Sequence, residues 1–331
     1  MLEARDLEHR YADRVVLSLD HVALPAGSIT ALVGANGSGK STLLRVLAFL
    51  EVPHRGTIEL GGKPITTAKD RQSARREVTL VEQQPYLFRG TVRANMLFGL
   101  GPRGSRGPDA KERITHAMTR LHIEGMLDRD AGSLSDGEIQ KIAVARALAL
   151  HPRVLLLDEP ASAADRASSN HLYQVLEDAC RDGMTVCFAS HQLEDAYRWS
   201  DRFIALADGR TSPVTLENVF RVVLPPGQGA KCVQVGDITI HVVTDTEGPA
   251  TVAIPPDDLI VSTAPFPSSA RNQFPGRVTS IGDAGRGRVA LTVDAGVDLV
   301  GRITPAALEE LGLSLGSQVI LSVKAMAVRV F

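Results

Sequence analysis

The sequence predicts an α/β domain with a largely parallel sheet flanked by helices, followed by a smaller β-rich domain, and three observations carry the prediction. Through about Asp208, short apolar runs alternate with helical segments. Beyond Asp208-Gly209-Arg210 the texture turns to short β-rich runs broken by Gly and Pro. The chain, at 331 residues, is also too long for one ordinary core. In order, SITALVG runs as a strand into the helical KSTLLRVLAFL, VTLVEQ follows as a strand, RVLLLDEP leads to the helix of SSNHLYQVLEDAC, and MTVCFAS to QLEDAYRWSD. Repeated strand-then-helix order implies crossover connections, which make parallel sheets. In the second part CVQV, ITIHVV, RVALTV and SQVILSV read as strands. TPAALEELG is a short helix among them, punctuated by Thr304 as N-cap, Pro305 at the first helical position and Gly312 past the end. The domains are expected at 1–211 and 212–331, with a weaker boundary near 267 after the Pro-rich STAPFPSS.

Hydrophobic residues make up 44% of the chain and charged residues 22%, which suits cores of this size and not a disordered chain. The 36 basic and 38 acidic side chains nearly cancel, so global charge argues against wrapping nucleic acid or clinging to an anionic bilayer. Any anion site is therefore local. No uninterrupted apolar run approaches the roughly 18 residues that begin to suggest a membrane span. MLEARDLEHRY lacks the basic-then-apolar layout of a signal peptide, and a cytosolic protein is expected. Cys180, Cys187 and Cys232 lack metal-ligand spacing, and two of them sit in apolar sequence, so buried free thiols are expected.

Gly34-Ala35-Asn36-Gly37-Ser38-Gly39-Lys40-Ser41 lies between the strand-like ITALV and the helix-like STLLRVLAFL, the context a phosphate-binding loop needs. Its glycines let successive backbone N–H groups turn toward one point, and the following helix N-terminus adds partial positive charge. Lys40 would reach the β- and γ-phosphates of a nucleotide, and the Ser41 hydroxyl would help hold Mg²⁺. RVLLLDEP delivers two carboxylates at the C-terminal end of a buried strand, where open α/β sheets bind ligands. Asp158 would hold the Mg²⁺ shell and Glu159 would orient the attacking water. An Asp-Glu pair alone is a common solvated strand end; the phosphate loop is what makes it specific.

These residues resemble the ATP-binding subunits of ABC transporters, over about residues 1 to 210. Leu134-Ser135-Asp136-Gly137-Glu138 resembles that family's signature sequence, with Asp136 standing where the first glycine is usual. Ser135 and Glu138 also satisfy a helix capping box, so part of the motif is explained without a nucleotide. Gln83 in VEQQPYLF is similar to the glutamine that senses Mg²⁺ and the permease, and His191 in ASHQL to the histidine that contacts the γ-phosphate. Ser162-Ala163-Ala164-Asp165 is similar to the loop crossing the dimer interface, and Tyr11 in HRYADRVV to the aromatic that stacks on adenine. The resemblance implies a P-loop NTPase fold and ATP and Mg²⁺ in a site that includes Gly34 to Ser41, Thr42 and residues 135 to 138. It also implies a homodimer that sandwiches ATP, a separate membrane permease contacted through helical sequence between about 91 and 133, and a peripheral place on the cytoplasmic face of the membrane.

The stretch Ser268 to Phe331 resembles the small oxyanion-binding domain of molybdate and tungstate proteins, carried by SARNQFPGRV, DLVGRITPAALEELGLSLGSQV and VKAMAVRV. That resemblance implies an OB-like barrel in which Ser269, Arg271 and Lys324 supply the donors and cations a tetrahedral dianion needs. Ala325 and Met326 stand where the family often has a hydroxyl-bearing residue after the lysine. LRVLAFLEVP and LVEQQPYLFRGTVRANMLFGL are most similar to tungstate-type importer subunits. The function expected is ATP hydrolysis driving import of tungstate or molybdate, with an extracytoplasmic oxyanion-binding protein as an indirect partner. A motor for sulfate, iron or polyamine import, a non-transport ABC ATPase and an oxyanion sensor are the readings left beside it.

Overall fold

The computed structural model describes residues 1–162, 165–211, 218–285 and 287–330. It divides into two compact units, Met1–Ser212 and Pro213–Phe331.

The first unit opens with β1 (Leu2–Tyr11) and β2 (Arg14–Leu24), followed by β3 (Ile29–Val33), α1 (Lys40–Leu47), β4 (Arg55–Leu60), β5 (Lys63–Pro64), α2 (Ala68–Ala74) and β6 (Val78–Val81). Helices α3 (Val92–Leu100), α4 (Gly107–Arg120) and α5 (Asp136–Ala149) precede β7 (Val154–Asp158), α6 (Arg166–Arg181), β8 (Thr185–Ser190), α7 (Leu193–Trp199), β9 (Arg202–Ala207) and β10 (Arg210–Thr211). One sheet runs β10-β9-β3-β8-β7-β6, parallel from β9 to β6, with β10 antiparallel at the edge. Every residue of β3, β7 and β8 is buried, as strands covered on both faces must be, which explains their continuous apolar runs.

A second sheet, β2-β1-β4-β5, is antiparallel throughout. It is an addition to the parallel sheet expected from the sequence. Ala12-Asp13 closes the β1–β2 hairpin, with Ala12 at φ 50° and Tyr11 paired to Arg14 across the turn. Leu2, Leu7, Leu17 and Leu24 from this sheet share one core with Leu44, Leu156 and Cys187.

In the second unit β11 (Asn218–Leu224), β12 (Ala230–Val235), β13 (Ile238–Val243), β14 (Gly248–Ile254) and β15 (Ile260–Ser262) come before the Pro-rich stretch. After it come β16 (Asn272–Gly285), β17 (Arg288–Asp294), β18 (Asp298–Ile303), α8 (Pro305–Glu310), β19 (Gln318–Val323) and β20 (Arg329–Val330). Thr304 caps α8 by accepting from the Ala307 N–H at 3.1 Å, worth about 1 kcal/mol. The sheet β15-β19-β16-β17-β18 curls, because register shifts in β16 after Val278 and after Asp283 bend the strand, and β18 comes to pack beside β15. Packing is continuous across the boundary expected near 267: Ile240, Val252 and Leu259 share a core with Phe274, Leu291 and Leu321.

Cys180 and Cys187 are buried, and burial pushes the Cys187 thiol up to about 12. Cys232 corrects the expectation of burial: β12 alternates, and Cys232 falls on its exposed face, with Sγ 3.2 Å from His241 Nδ1. Among the described residues, no helix is long and apolar enough to cross a membrane.

Candidate functional site

The turn from Gly34 to Gly39 joins β3 to α1, and its shape demands glycine at two places. At Gly39 the backbone is left-handed, φ 103°, and an added Cβ would lie 2.8 Å from a Leu17 methyl. At Gly34 an added Cβ would lie 2.4 Å from the Leu206 carbonyl oxygen. The turn is locked by the Ser38 N–H donating to Ala35 O (3.1 Å) and the Gly209 N–H to Ser38 O (3.0 Å). Lys40, 6% exposed, folds its ammonium onto the turn, donating to Gly34 O at 2.8 Å and Ala35 O at 3.1 Å. An ammonium has three N–H donors, so one is left for a ligand.

Parallel register brings three further residues to the same edge of the sheet. Val81 pairs with Leu157 and Asp158 with Ala189, so Gln83 after β6, Asp158-Glu159 at the end of β7 and His191 after β8 emerge together. Glu159 turns sharply there, at φ 48°, a strained conformation for a side-chain-bearing residue that costs on the order of 1 kcal/mol. Its N–H is held by Ala189 O at 3.1 Å. Its carboxylate is bracketed: Oε2 accepts from Gln83 Nε2 at 3.0 Å, and Oε1 lies 3.1 Å from His191 Nδ1. Asp158 is 7% exposed, with the Ser41 hydroxyl close to its carboxylate. Burial raises its carboxyl above the usual carboxylate range; the nearby Ser41 hydroxyl opposes this and the Glu159 charge adds to it.

Tyr11, Gln83, Glu159 and His191 thus meet Asn36, Gly37, Gly39, Lys40, Ser41 and Thr42 around one open cleft of about 770 Å³. Gly34, Ala35 and Ser38 build the turn itself. Sequence reading missed two residues. Arg14 lines the cleft across the hairpin turn from Tyr11, and Glu51, 40 residues from Tyr11, accepts its hydroxyl at 2.8 and 2.9 Å from the two carboxylate oxygens. A contact over that separation has no local sequence signal.

The described lining of the cleft does not include residues 134–138. Ser135 caps α5 in a full capping box: the Glu138 carboxylate accepts from the Ser135 N–H (2.9 Å) and hydroxyl (3.1 Å), and the Glu138 N–H donates back at 3.4 Å. Arg129 pairs with the other Glu138 oxygen at 2.6 Å. These bonds, Ser135's foremost, hold the Glu138 carboxyl below the usual range. Asp136 and Gly137 form the first turn of α5, and Asp136 is exposed. Ser162 lines the cleft and Asp165 caps α6 by accepting from the Ser168 N–H at 2.8 Å; Ala163 and Ala164 lie outside the described residues.

In the second unit Asn272 pairs with Val323, so Arg271 and Lys324 leave the β16–β19 ladder side by side. Both are exposed, as is Ser269, and among the described residues neither cation makes an ion pair.

Residues 18–162 match the family described as ABC transporter, and residues 268–330 match the TOBE domain. The molybdenum import ATP-binding protein ModC of Aromatoleum aromaticum is 34% identical over 340 residues, covering 92% of this chain and 89% of that protein. The molybdate/tungstate import ATP-binding protein WtpC of Pyrococcus horikoshii is 31% identical over 318 residues, covering 91% of each. Among solved structures, the dimeric post-hydrolysis state of the ATP-binding cassette MJ0796, bound to ADP and Pi, superposes with a TM-score of 0.59 at 25% identity, covering 64% of this chain and 97% of that one.

Proposed function

The chain belongs to the ATP-binding subunits of ABC transporters, and we propose that it hydrolyses ATP to drive import of molybdate or tungstate through a membrane permease. The observation that carries the substrate class is that ModC and WtpC, named for molybdenum and molybdate/tungstate import, align across both units, whereas the probable anion import ATP-binding protein of Haloferax volcanii, at 38% identity, covers 63% of the chain. The subunit works as a dimer beneath the permease, at the membrane periphery, and an extracytoplasmic oxyanion-binding protein would deliver the cargo.

In this reading the Gly34–Ser41 N–H groups and Lys40 receive the β- and γ-phosphates, and Tyr11 stacks on the adenine. Glu159 holds and polarises the attacking water, with His191 beside the γ-phosphate and Gln83 as the link to the permease. The bracketing of the Glu159 carboxylate supports this: both neighbours orient it before substrate arrives, so little reorganisation is needed. Ser41 and Asp158 suit Mg²⁺: both offer hard oxygen atoms at the cleft, and Asp158 is a buried carboxylate that a cation would stabilise. The ion would neutralise charge on the phosphate oxygens. Ser135, Asp136, Gly137 and Glu138 would meet the nucleotide of the partner protomer.

For the permease, the proposed contact takes α3, from the expected stretch 91 to 133, together with Tyr86 and Phe88 just before that stretch. Tyr86 and Phe98, 69% and 62% exposed, form with Phe88 an aromatic cluster on a groove of about 360 Å³ just past Gln83. Rings so exposed suit burial by a short permease helix, each worth about 2 kcal/mol or more if fully covered. In the second unit, Ser269, Arg271 and Lys324 are the proposed contact for cytosolic oxyanion.

The test is uptake in cells lacking this gene and complemented with wild type or Glu159→Gln. Wild type restores tungstate or molybdate accumulation and the variant does not; restoration of sulfate uptake alone would refute the substrate class.

A further inference from the structure

Beside the cleft, residues from β1 and from the segment after α1 form a polar cluster. His9, 4% exposed, places Nε2 at 2.9 Å from Glu51 Oε2, off the line of a good hydrogen bond, and its ring meets Tyr11 edge-on at 5.2 Å. Glu51 is three-quarters buried and takes the Tyr11 hydroxyl at 2.8 Å. The Arg45 guanidinium lies near the same hydroxyl and pairs with Glu82 at 3.0 Å. Tyr11 itself is 45% exposed at a hairpin end. Without a partner for its hydroxyl, a tyrosine so placed would sample several ring orientations, and stacking on a base would have to select one.

We propose that Glu51 is a positioning residue for the nucleotide base: it holds the Tyr11 hydroxyl and so sets the plane of the ring against which adenine stacks. The proposal rests on reading Tyr11 as the stacking aromatic. Immobilising that ring before binding lowers the entropy lost on binding, so the effect belongs in nucleotide affinity and not in the chemical step. His9 and Arg45 flank the pair and keep the carboxylate and phenol together.

Steady-state ATPase kinetics of the full chain tests this. Glu51→Ala raises KM for ATP about fivefold, the net worth of one hydrogen bond, while kcat changes less than twofold. Inhibition by inorganic tripolyphosphate, which has no base, stays the same. Glu51→Gln, whose amide oxygen still accepts the phenol proton, keeps KM near wild type. In a Tyr11→Phe background Glu51→Ala adds nothing further. An equal rise in KM with and without the hydroxyl, or no rise, overturns the proposal. Should Glu51→Ala fail to fold because His9 loses its neighbour, Tyr11→Phe alone must reproduce the rise, and a wild-type KM there overturns the proposal equally. Tyr11→Ala separates the two readings: an unchanged KM refutes the stacking role and the positioning role together, whereas a raised KM with Glu51→Ala inert refutes positioning alone.

Discussion

Glu159→Gln removes one charge from the most constrained carboxylate of the cleft while keeping its size. If Glu159 is the general base, loss of the carboxylate costs 10²- to 10⁴-fold in kcat, about 3–5 kcal/mol in barrier. The structural cost is smaller. Glutamine keeps one acceptor oxygen, so one of the contacts from Gln83 (3.0 Å) and His191 (3.1 Å) survives. The other partner finds water, since Gln83 is exposed and the His191 side chain is 48% exposed. About 1 kcal/mol of stability is then lost, a fall of about 2–4 °C in Tm for a unit of this size. The groups proposed to hold the phosphates are untouched, so ATP affinity is expected to persist and a closed dimer to accumulate. Lys40→Ala is the contrasting variant: it loses the ammonium on the phosphate turn and with it nucleotide affinity. ATPase rates, nucleotide binding and sizing with ATP measure all three quantities. Turnover by Glu159→Gln within about threefold of wild type would refute the argument, because no other carboxylate in the described cleft lining could replace it.

Three further outcomes are expected. Asp136 complements the N-terminus of α5 by about 0.3–1 kcal/mol, yet faces the phosphate expected there with like charge. Asp136→Gly therefore raises basal ATPase or lowers the ATP concentration needed, and no change in either would leave Asp136 as a helix-end residue only. Burial first, then the charges of Arg113, His116 and Arg120 against that of Asp109, hold the His151 imidazole below 6.5. The unfolded chain then takes up its proton first as pH falls through 6.5, so the first unit loses stability below that pH. His151→Asn, which suits φ 46°, flattens the loss in urea titrations followed by Trp199; a pH-independent difference from wild type would refute it. Calorimetry of the full chain with tungstate, molybdate and sulfate gives heat with the first two alone, lost in Arg271→Ala. No heat with any of them would leave the second unit without an oxyanion role.

What the sequence determined by itself was local. A strand, a glycine-rich turn and a helix in direct succession could be read from residues 30 to 50, and the caps at Ser135 and Thr304 were legible because both partners lie within three residues. The strand carrying Asp158 and Glu159 was legible because a strand buried on both faces must be apolar throughout. The antiparallel β1–β2–β4 sheet was not, since its alternation differs little from that of any half-buried segment. Cys232 was misplaced because β12 shows the same apolar residues whichever face is inward, and only packing fixes the face. Tertiary structure also decided that β6, β7 and β8 end at one sheet edge, which brings Gln83 and His191 onto Glu159, and that Glu51 meets Tyr11. Those contacts join residues 32 to 76 apart, and chain separation of that size erases any short-range signal; only the folded structure restores it, through sheet register at Glu159 and through the packing of the segment after α1 at Glu51.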